Sequence, residues 1–462
     1  MKRMRSIIGR LAFVFCFGAA WGCGARIVTG VPLESSPVPL ASQAAAAAVD
    51  CGLFPGRAES TDAISTVGLA ERIDPAHAPH PANESERLLF RQLYETLIRA
   101  DCQGHAAPGL AASWRLDTRN ANGNTWIVTL RQNARFSDDT PVTATDVVSN
   151  WMRDNGSELR PEVGRLVQSL VAVDDRTLEI ELQSRRADAV LALAHTDLAI
   201  AKPVSGSLWP LGTRAARIDS TGSSVITLVR LSGNSTVRFL VVPGRDSRDL
   251  LDQGVDLLLT RDPRTLDYAA TLPQFEKAPL PWQRTHVLLT PGQGRAAPSF
   301  SPEERRTLAQ DAVRGPARGA EGPFWWESLS DCEVTASRPS TQTQSAAGSI
   351  VYDTDDAAAR EIAERFVGIG RYPRASGLTG EALAQALRRG NESGYVLSVE
   401  RRPLDPCREM LVLGEIAGWI DPQTIVPLVD TRLHAIVRRG RSGLTTESDG
   451  TLLLLPTGSI AR

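Results

Sequence analysis

An α/β fold with more than one lobe is what this sequence predicts, on three observations. A helix rich in acids and bases, Asp246 to Gln253, runs directly into the short apolar strand Gly254-Val255-Asp256-Leu257-Leu258-Leu259, a helix-to-strand alternation. Trp126, Val128 and Leu130 alternate with Ile127 and Thr129 after the turn pair Asn122-Gly123, which predicts a half-buried strand. About 410 residues follow residue 50, more than one hydrophobic core holds, so the body divides into two or three lobes.

The N-terminus reads as an export signal over residues 1–22. Lys2, Arg3, Arg5 and Arg10 form a basic head, and Leu11 to Ala20 form an apolar run too short to cross a bilayer as a helix. The mature protein is therefore expected outside the cytoplasm. Cys23 follows Ala20-Trp21-Gly22 at the cleavage point, where a bacterial lipoprotein cysteine receives lipid; lipidation of Cys23 and free periplasmic secretion are the two readings. Residues 23–50, rich in Ser, Pro and Ala, read as a tether to the folded body. The net charge is −2, and removal of the four basic residues ahead of Cys23, with no acid among them, takes it to −6. That balance argues against a nucleic-acid partner.

Six cysteines are present, of which Cys16 and Cys23 belong to the export region. Cys51, Cys102, Cys332 and Cys407 make no zinc-type spacing, so no metal site is expected of them. An even number in an oxidising compartment favours disulfides, read as Cys51 with Cys102 and Cys332 with Cys407, in segments expected to meet.

From residue 83 each phrase has a local physical reading. Asn83 followed by Glu86 is a capping-box spacing, and Leu89, Leu93 and Leu97 with Phe90, Tyr94 and Ile98 form one apolar helical face. Thr143 suits a helix cap, with Asp146 three residues later near the positive end of the helix.

The joint order of these phrases carries more than each alone. RLLFRQLYETLIRADCQG, PGLAASW, NTWIVTLRQNARFSDDTP and VTATDVVSNW follow one another in an order that resembles the family 5 extracellular solute-binding proteins, the peptide/nickel type receptors that feed ABC importers. Tyr94, Glu95, Pro108, Trp114, Trp126, Arg131, Phe136, Asp138 and Asp146 fall in the places of that family's phrases, whereas Asp139 stands where Gly is usual. Asp tolerates the left-handed conformation of such a turn. Ser65 to Pro75 resembles the opening strand with its "DP" phrase, and Trp209-Pro210-Leu211-Gly212-Thr213 resembles the "P.GTG" phrase, with Arg214 where Gly is usual. Phe300 to Arg318 is similar to a helix of the family, and Ile425 to Arg438 to a strand that returns to the first lobe.

The resemblance implies a bilobal periplasmic-binding-protein-like fold with an extra subdomain, mixed sheets and a hinge between lobes. On that pattern lobe I comprises 51–235 with a subdomain inserted at about 84–200, lobe II comprises 236–424, and 425–462 returns to lobe I. It further implies a monomer that encloses a small-molecule or peptide ligand by hinge closure and delivers it to an ABC permease in the inner membrane.

Candidate ligand residues follow from residue type and place. Aromatic residues are few, 25 in all, so the pair Trp325 and Trp326, and Trp282 beside Arg284, suit a pocket wall with a cation for an acidic end. Arg261 and Asp262 follow the Gly254 to Leu259 strand, at the strand end that lines the cleft of an open α/β sheet. Peptide-binding members of the family carry an Asp that holds the peptide's amino group near a "DP" phrase; at Asp405-Pro406 the alignment puts Arg402 in that place, with Glu400 as the substitute anion. An arginine there favours a carboxylate or phosphate over an ammonium group.

Enzyme motifs are missing: there is no GxSxG, HExxH, GxxxxGK[ST] or GxGxxG. His77 and His80 read as a solvent-facing loop, and Asp174 with Asp175, or Asp355 with Asp356, as solvated turns. The expectation is a binding protein with no catalytic residue, cofactor or metal. The alternative is a lipoprotein that keeps the receptor fold uncoupled from transport, as a sensor or structural partner.

Overall fold

The computed structural model describes residues 51–54, 63–119, 123–153, 156, 158–185, 188–231, 235–291, 348–354, 356–400 and 425–454, all within the compact unit Val49–Arg462. Its first strand, β1 (Thr66–Leu69), leads through a loop to the short helix α1 (Glu84–Phe90). After the small antiparallel pair β2 (Ile98–Ala100) and β3 (Ala106–Pro108) the chain builds a separate four-stranded sheet. Its strands β4 (Ala111–Leu116), β5 (Thr125–Leu130), β6 (Val167–Ala172) and β7 (Thr177–Leu182) lie antiparallel in the order β4-β5-β7-β6. Helices α2 (Ala144–Trp151) and α3 (Pro161–Gly164) belong to the same subdomain. One core holds it together: Trp151 is fully buried among residues such as Val128, Leu130, Val147 and Ile180, and its indole N–H donates to the Leu198 carbonyl at 3.3 Å.

Several local expectations appear at their residues. Thr143 and Asp146 close both halves of the capping box of α2. Among the described residues Asp139 is the one non-glycine with positive φ, at 68°, so the Asp stands in the conformation a Gly would otherwise supply.

The helix expected through Ile98 ends at Phe90. Leu93, Tyr94, Leu97 and Ile98 are buried as predicted, but on irregular and extended backbone. Two glycines explain the turn away from helix. The backbone carbonyls of Thr96 and Leu97 accept from Leu110 and Ala111, and a Cβ on Gly109 would stand 2.4 Å from the Thr96 oxygen. The Leu93 carbonyl accepts from both Thr213 and Arg214, and a Cβ on Gly212 would stand 2.2 Å from it. Tertiary backbone bonds to the PGLA and PLGT phrases thus replace the helical ladder, and only glycine admits that approach.

The chain then returns to the main, ten-stranded sheet. β8 (Ala216–Thr221), β9 (Val225–Arg230) and β10 (Thr236–Val241) form an antiparallel run, α4 (Arg248–Asp252) follows, and β11 (Leu257–Thr260) leads into α5 (Pro263–Thr271). β1 lies between β10 and β11 and parallel to both, with Val67 in register with Phe239 and Leu257, all three fully buried. Residues 236–260, assigned to the second lobe from sequence, therefore complete the first: the parallel pairing needs β1 at its centre.

The second half has the same logic. β13 (Ile350–Asp353) lies between β14 (Ala375–Leu378) and β15 (Gly394–Glu400), parallel to both. Helix α6 (Ala357–Gly368) packs Ile362 and Phe366 with Ile350 and Val396, while α7 (Gly380–Arg389) packs Leu383 and Leu387 with Val351 and Tyr395. Successive strand residues thus serve opposite faces. Gly390 ends α7 in the left-handed conformation, φ 58°.

Two long antiparallel strands carry the sheet from one half to the other. β12 (Phe275–Leu289) pairs from Phe275 to Pro279 with the far end of β16 (Ile425–Arg438), which also borders β11. Beyond Arg284, β12 borders β15 on its other side. Register shifts fall between Pro279 and Trp282, between Trp282 and Arg284, and between His286 and Val287. Pro279 and Pro281 donate no ladder bond and sit at this interruption, where a strand bends most readily. The residual short pair β17 (Thr445–Thr446) and β18 (Leu452–Leu453) closes the C-terminal end against the first lobe.

Candidate functional site

In an open parallel sheet, ligands bind beyond the carboxyl ends of the strands, where the topology switches. Here β1 and β11 end side by side, and the chain after each supplies polar side chains.

The loop after β1 is organised by carboxylates. Buried Glu86 accepts from the backbone N–H groups of Asp74 at 2.9 Å and Ala82 at 2.7 Å, and meets His77 Nδ1 at 2.9 Å. Asn83 caps α1 by accepting from Glu86 N, but the Glu86 carboxylate serves the loop, so the expected box is half made. Glu71 and Ser85 exchange two further bonds, Ser85 N to Glu71 Oε2 at 2.9 Å and Glu71 N to Ser85 Oγ at 3.1 Å. Glu84 is thereby held at a fixed point.

Arginines from two other segments converge on it. Arg261, directly after β11, brings Nη1 and Nη2 each to 3.3 Å from Glu84 Oε1, and Arg284 of β12 brings Nη2 to 3.2 Å from the same oxygen. Arg87 stands 3.7 Å from Oε2. The side chains of Glu84, Arg261 and Arg284 are 11, 16 and 23% exposed, sheltered yet within reach of solvent. On the first-lobe side, burial and then the charges of Arg432, Lys277 and Arg261 hold the His434 imidazole below its ordinary value, and thus neutral at pH 7.

On the second-lobe side, Arg284 is followed by buried His286, whose Nε2 lies 3.0 Å from Asp356. Asp356 caps α6 through Ala359 N at 3.0 Å. Burial would raise its carboxyl, but the His286 charge and hydrogen bond, the Ala359 N–H and Arg284 together hold it well below the usual carboxylate range. The reading of this acid as a solvated turn is corrected: the turn is a helix cap, and its carboxylate serves a buried histidine.

The sequence candidates separate accordingly. Arg261 and Arg284 meet on Glu84, Trp282 lies opposite Arg432 in the β12–β16 ladder, and Glu400 lies opposite Arg284 in the β12–β15 ladder. Asp262 is directed elsewhere: it caps α5, accepting from Arg264 N at 3.1 Å, Thr265 N at 3.2 Å and Thr265 Oγ1 at 2.7 Å. Both its oxygens are engaged within the helix start. Asp262→Ala is expected to cost about 1 kcal/mol in chemical denaturation, the usual loss for a cap, and to weaken ligand binding no more than it weakens the fold; a selective binding loss would return Asp262 to the cleft. Trp325, Trp326 and Arg402 lie outside the described residues, as do Cys23, Cys332 and Cys407. Cys51 and Cys102 are joined as a disulfide.

Sequence reasoning passed over Glu84 and Arg432. The usable signal for Glu84 was its place as the first helical residue after the Asn83 cap, where a carboxylate is easily read as helix-end chemistry alone.

Nearby polar groups have other partners. A recess of about 240 Å³ at the α1 start is lined by Pro81, Ala82, Asn83, Arg87, His195, Thr196 and Asp197. His77 serves Glu86, and His80 Nε2 lies 2.8 Å from Arg160. Among the described residues no three metal-ligating side chains form a group, and no helix is long and apolar enough to cross a membrane.

Two parallel-centred sheet halves, joined by long strands with a polar cluster at their junction, make up a bilobal periplasmic-binding-protein-like fold. The fold is similar to that of the Escherichia coli murein tripeptide binding protein MppA, at 14% identity and TM-score 0.59 over 86% of this chain and 97% of that one. It is also similar to the dipeptide binding protein from Pseudoalteromonas sp. SM9913 in complex with Met-Leu, at 14% identity and TM-score 0.61 over 84% and 99%. Residues 105–222 match the family model for bacterial extracellular solute-binding proteins, family 5, middle region. The match thus covers the family's middle region, and the likeness to these solved structures is one of fold. In sequence the chain is 33% identical over 134 residues to a putative binding protein of Haemophilus influenzae, a quarter of each chain. It is 38% identical over 95 residues to the periplasmic oligopeptide-binding protein OppA of Escherichia coli, 20% of this chain and 17% of that one. The aligned stretches thus span a quarter or less of these curated relatives.

Proposed function

We propose that the protein is the ligand-capturing component of an ABC importer. It takes a small peptide-like solute between its lobes, outside the cytoplasm, and hands it as a monomer to an inner-membrane permease. The observation that carries this reading is the junction itself: β12 and β16 change register where Arg261, Arg284 and Glu84 meet, so a ligand held there touches both lobes and the bend between them. The oligopeptide- and tripeptide-binding relatives support a peptide-like ligand. Arg261 and Arg284 are the proposed ligand residues, with Trp282, Glu400, Trp325, Trp326 and Arg402 as further members of the wall and Cys23 as the lipid-bearing residue. No bond is made or broken in the function.

The test is native mass spectrometry of residues 50–462 purified without denaturant from an exporting host. A co-purified mass of a few hundred daltons, lost on partial unfolding, is expected. A protein that is empty and remains unshifted by peptide and metal-chelate pools would overturn the reading. One observation favours a receptor fold uncoupled from transport: the family match is confined to residues 105–222. Unchanged solute uptake after deletion, with binding retained, would select that second reading.

A further inference from the structure

We propose that Glu84 is a specificity-determining residue, an internal carboxylate that occupies the Arg261–Arg284 pair and yields it to a carboxylate of the ligand. This rests on the receptor reading above and adds the chemical class of the group that the cleft recognises.

The geometry separates this cluster from the structural ion pairs of the same protein. Arg131 and Glu95 meet through two nitrogens and two oxygens, one contact for each oxygen at 2.8 and 3.3 Å, with 16 and 2% exposure, the paired arrangement of a permanent contact. Arg261 and Arg284 instead crowd onto one oxygen of Glu84 at 3.2 to 3.3 Å. Charge-assisted bonds prefer about 2.7–2.9 Å and one oxygen for each donor. Glu84 cannot move closer as a free ion would, because the Asn83 cap and the Glu71–Ser85 exchange fix its backbone.

A ligand carboxylate has no such constraint. It can offer one oxygen to each guanidinium and shorten both contacts, which is the bidentate chemistry that arginine favours. Glu84 meanwhile offsets the mutual repulsion of the two guanidiniums, so the pair stays assembled before binding. Ligand affinity is then a difference between two carboxylates, and a neutral group gains nothing by displacing the internal one. Because Arg261 follows β11 and Arg284 lies past the register shift of β12, the exchange also links the bound group to the bend between lobes.

The test compares wild type with Glu84→Gln, which keeps size and removes the charge. Both are titrated with three tripeptide pools: free acids without acidic side chains, the same peptides as C-terminal amides, and amides carrying one Glu side chain. Glu84→Gln is expected to bind free acids at least ten-fold more tightly than wild type and plain amides equally. Tight binding of the third pool alone would assign the carboxylate to a side chain rather than a C-terminus, and supports the proposal. Arg284→Lys is expected to lose acid binding while its unfolding temperature stays near that of wild type, which separates recognition from folding. Equal affinities for all three pools in wild type, or no gain for either carboxylate-bearing pool in Glu84→Gln, would overturn the proposal and leave the receptor reading standing. Failure of every pool on both proteins would overturn both.

Discussion

Arg91→Leu is expected to destabilise the protein by about 3–5 kcal/mol, the cost of leaving one charge of a buried pair without its partner. Arg91 is 2% exposed and its Nη2 donates to Glu447, which is 5% exposed. Burial alone would lower the Arg91 guanidinium, but the Glu447 and Asp449 charges hold it above its ordinary value. The next cation on Glu447, Arg99, stands 3.8 Å away and does not replace a direct contact. Gln92 grips the same C-terminal segment, donating to the Leu452 carbonyl at 2.9 Å and accepting from Leu454 N at 2.9 Å. The loss should appear as a lower urea midpoint, and Arg91→Leu/Glu447→Leu should recover most of it, because neither member of the direct pair is then left without the other. A loss below about 1 kcal/mol in the single variant would mean that water reaches Glu447 as it reaches a surface pair.

The same network surrounds one departure from the family 5 pattern. Arg214, in the position where Gly is usual, is buried, and burial pushes its guanidinium down to about 10 despite the opposing charges of Glu95 and Glu447. Its backbone still makes the bond to Leu93 that fixes the PLGT phrase. The phrase keeps its backbone bond, while the side chain stands buried within the field of Glu95 and Glu447.

Legibility in the sequence followed the range of the forces involved. Thr143 with Asp146, and Asp139, were readable because each is settled within a few residues, by a cap or a turn. The strand Ile425–Arg438 was readable from its resemblance to the family's returning strand. The end of α1 was not: Leu93, Tyr94, Leu97 and Ile98 have helical spacing, and the bonds that override it come from Leu110, Ala111, Thr213 and Arg214. β12 was obscured by Pro279 and Pro281, which argue against a central strand unless its register breaks there. Arg261 and Arg284 could be proposed from their places, but their common partner Glu84 lies 177 residues before the first and 200 before the second. Nothing local marks that meeting. At Asp262 a strand end and a helix start coincide, and the helix takes both carboxylate oxygens.

Replacing Cys51 and Cys102 by serine is expected to remove roughly 4 kcal/mol, the chain-entropy value for a loop of this size. The bond joins residues 51 apart, at the point where the N-terminal segment enters the body. Leu53 N donates to the Leu444 carbonyl and Thr446 N to the Cys51 carbonyl, both at 3.0 Å, so Cys51 is also tied to the C-terminal strand pair. Cys102 lies in a turn that Asp101 stabilises, accepting from Gln103 N at 2.9 Å and His105 N at 2.8 Å. Without the disulfide the junction would rest on a few backbone bonds at the edge of the first lobe. The comparison to make is urea unfolding of wild type and Cys51→Ser/Cys102→Ser, each with and without reductant. Reduced wild type should match the reduced variant. If reductant lowers the variant further, a second bond is present, and Cys332 with Cys407 is the pair to examine by mass mapping. If the variant unfolds where oxidised wild type does, the backbone ties to Leu444 and Thr446 already restrict the open chain, and the disulfide adds no stability.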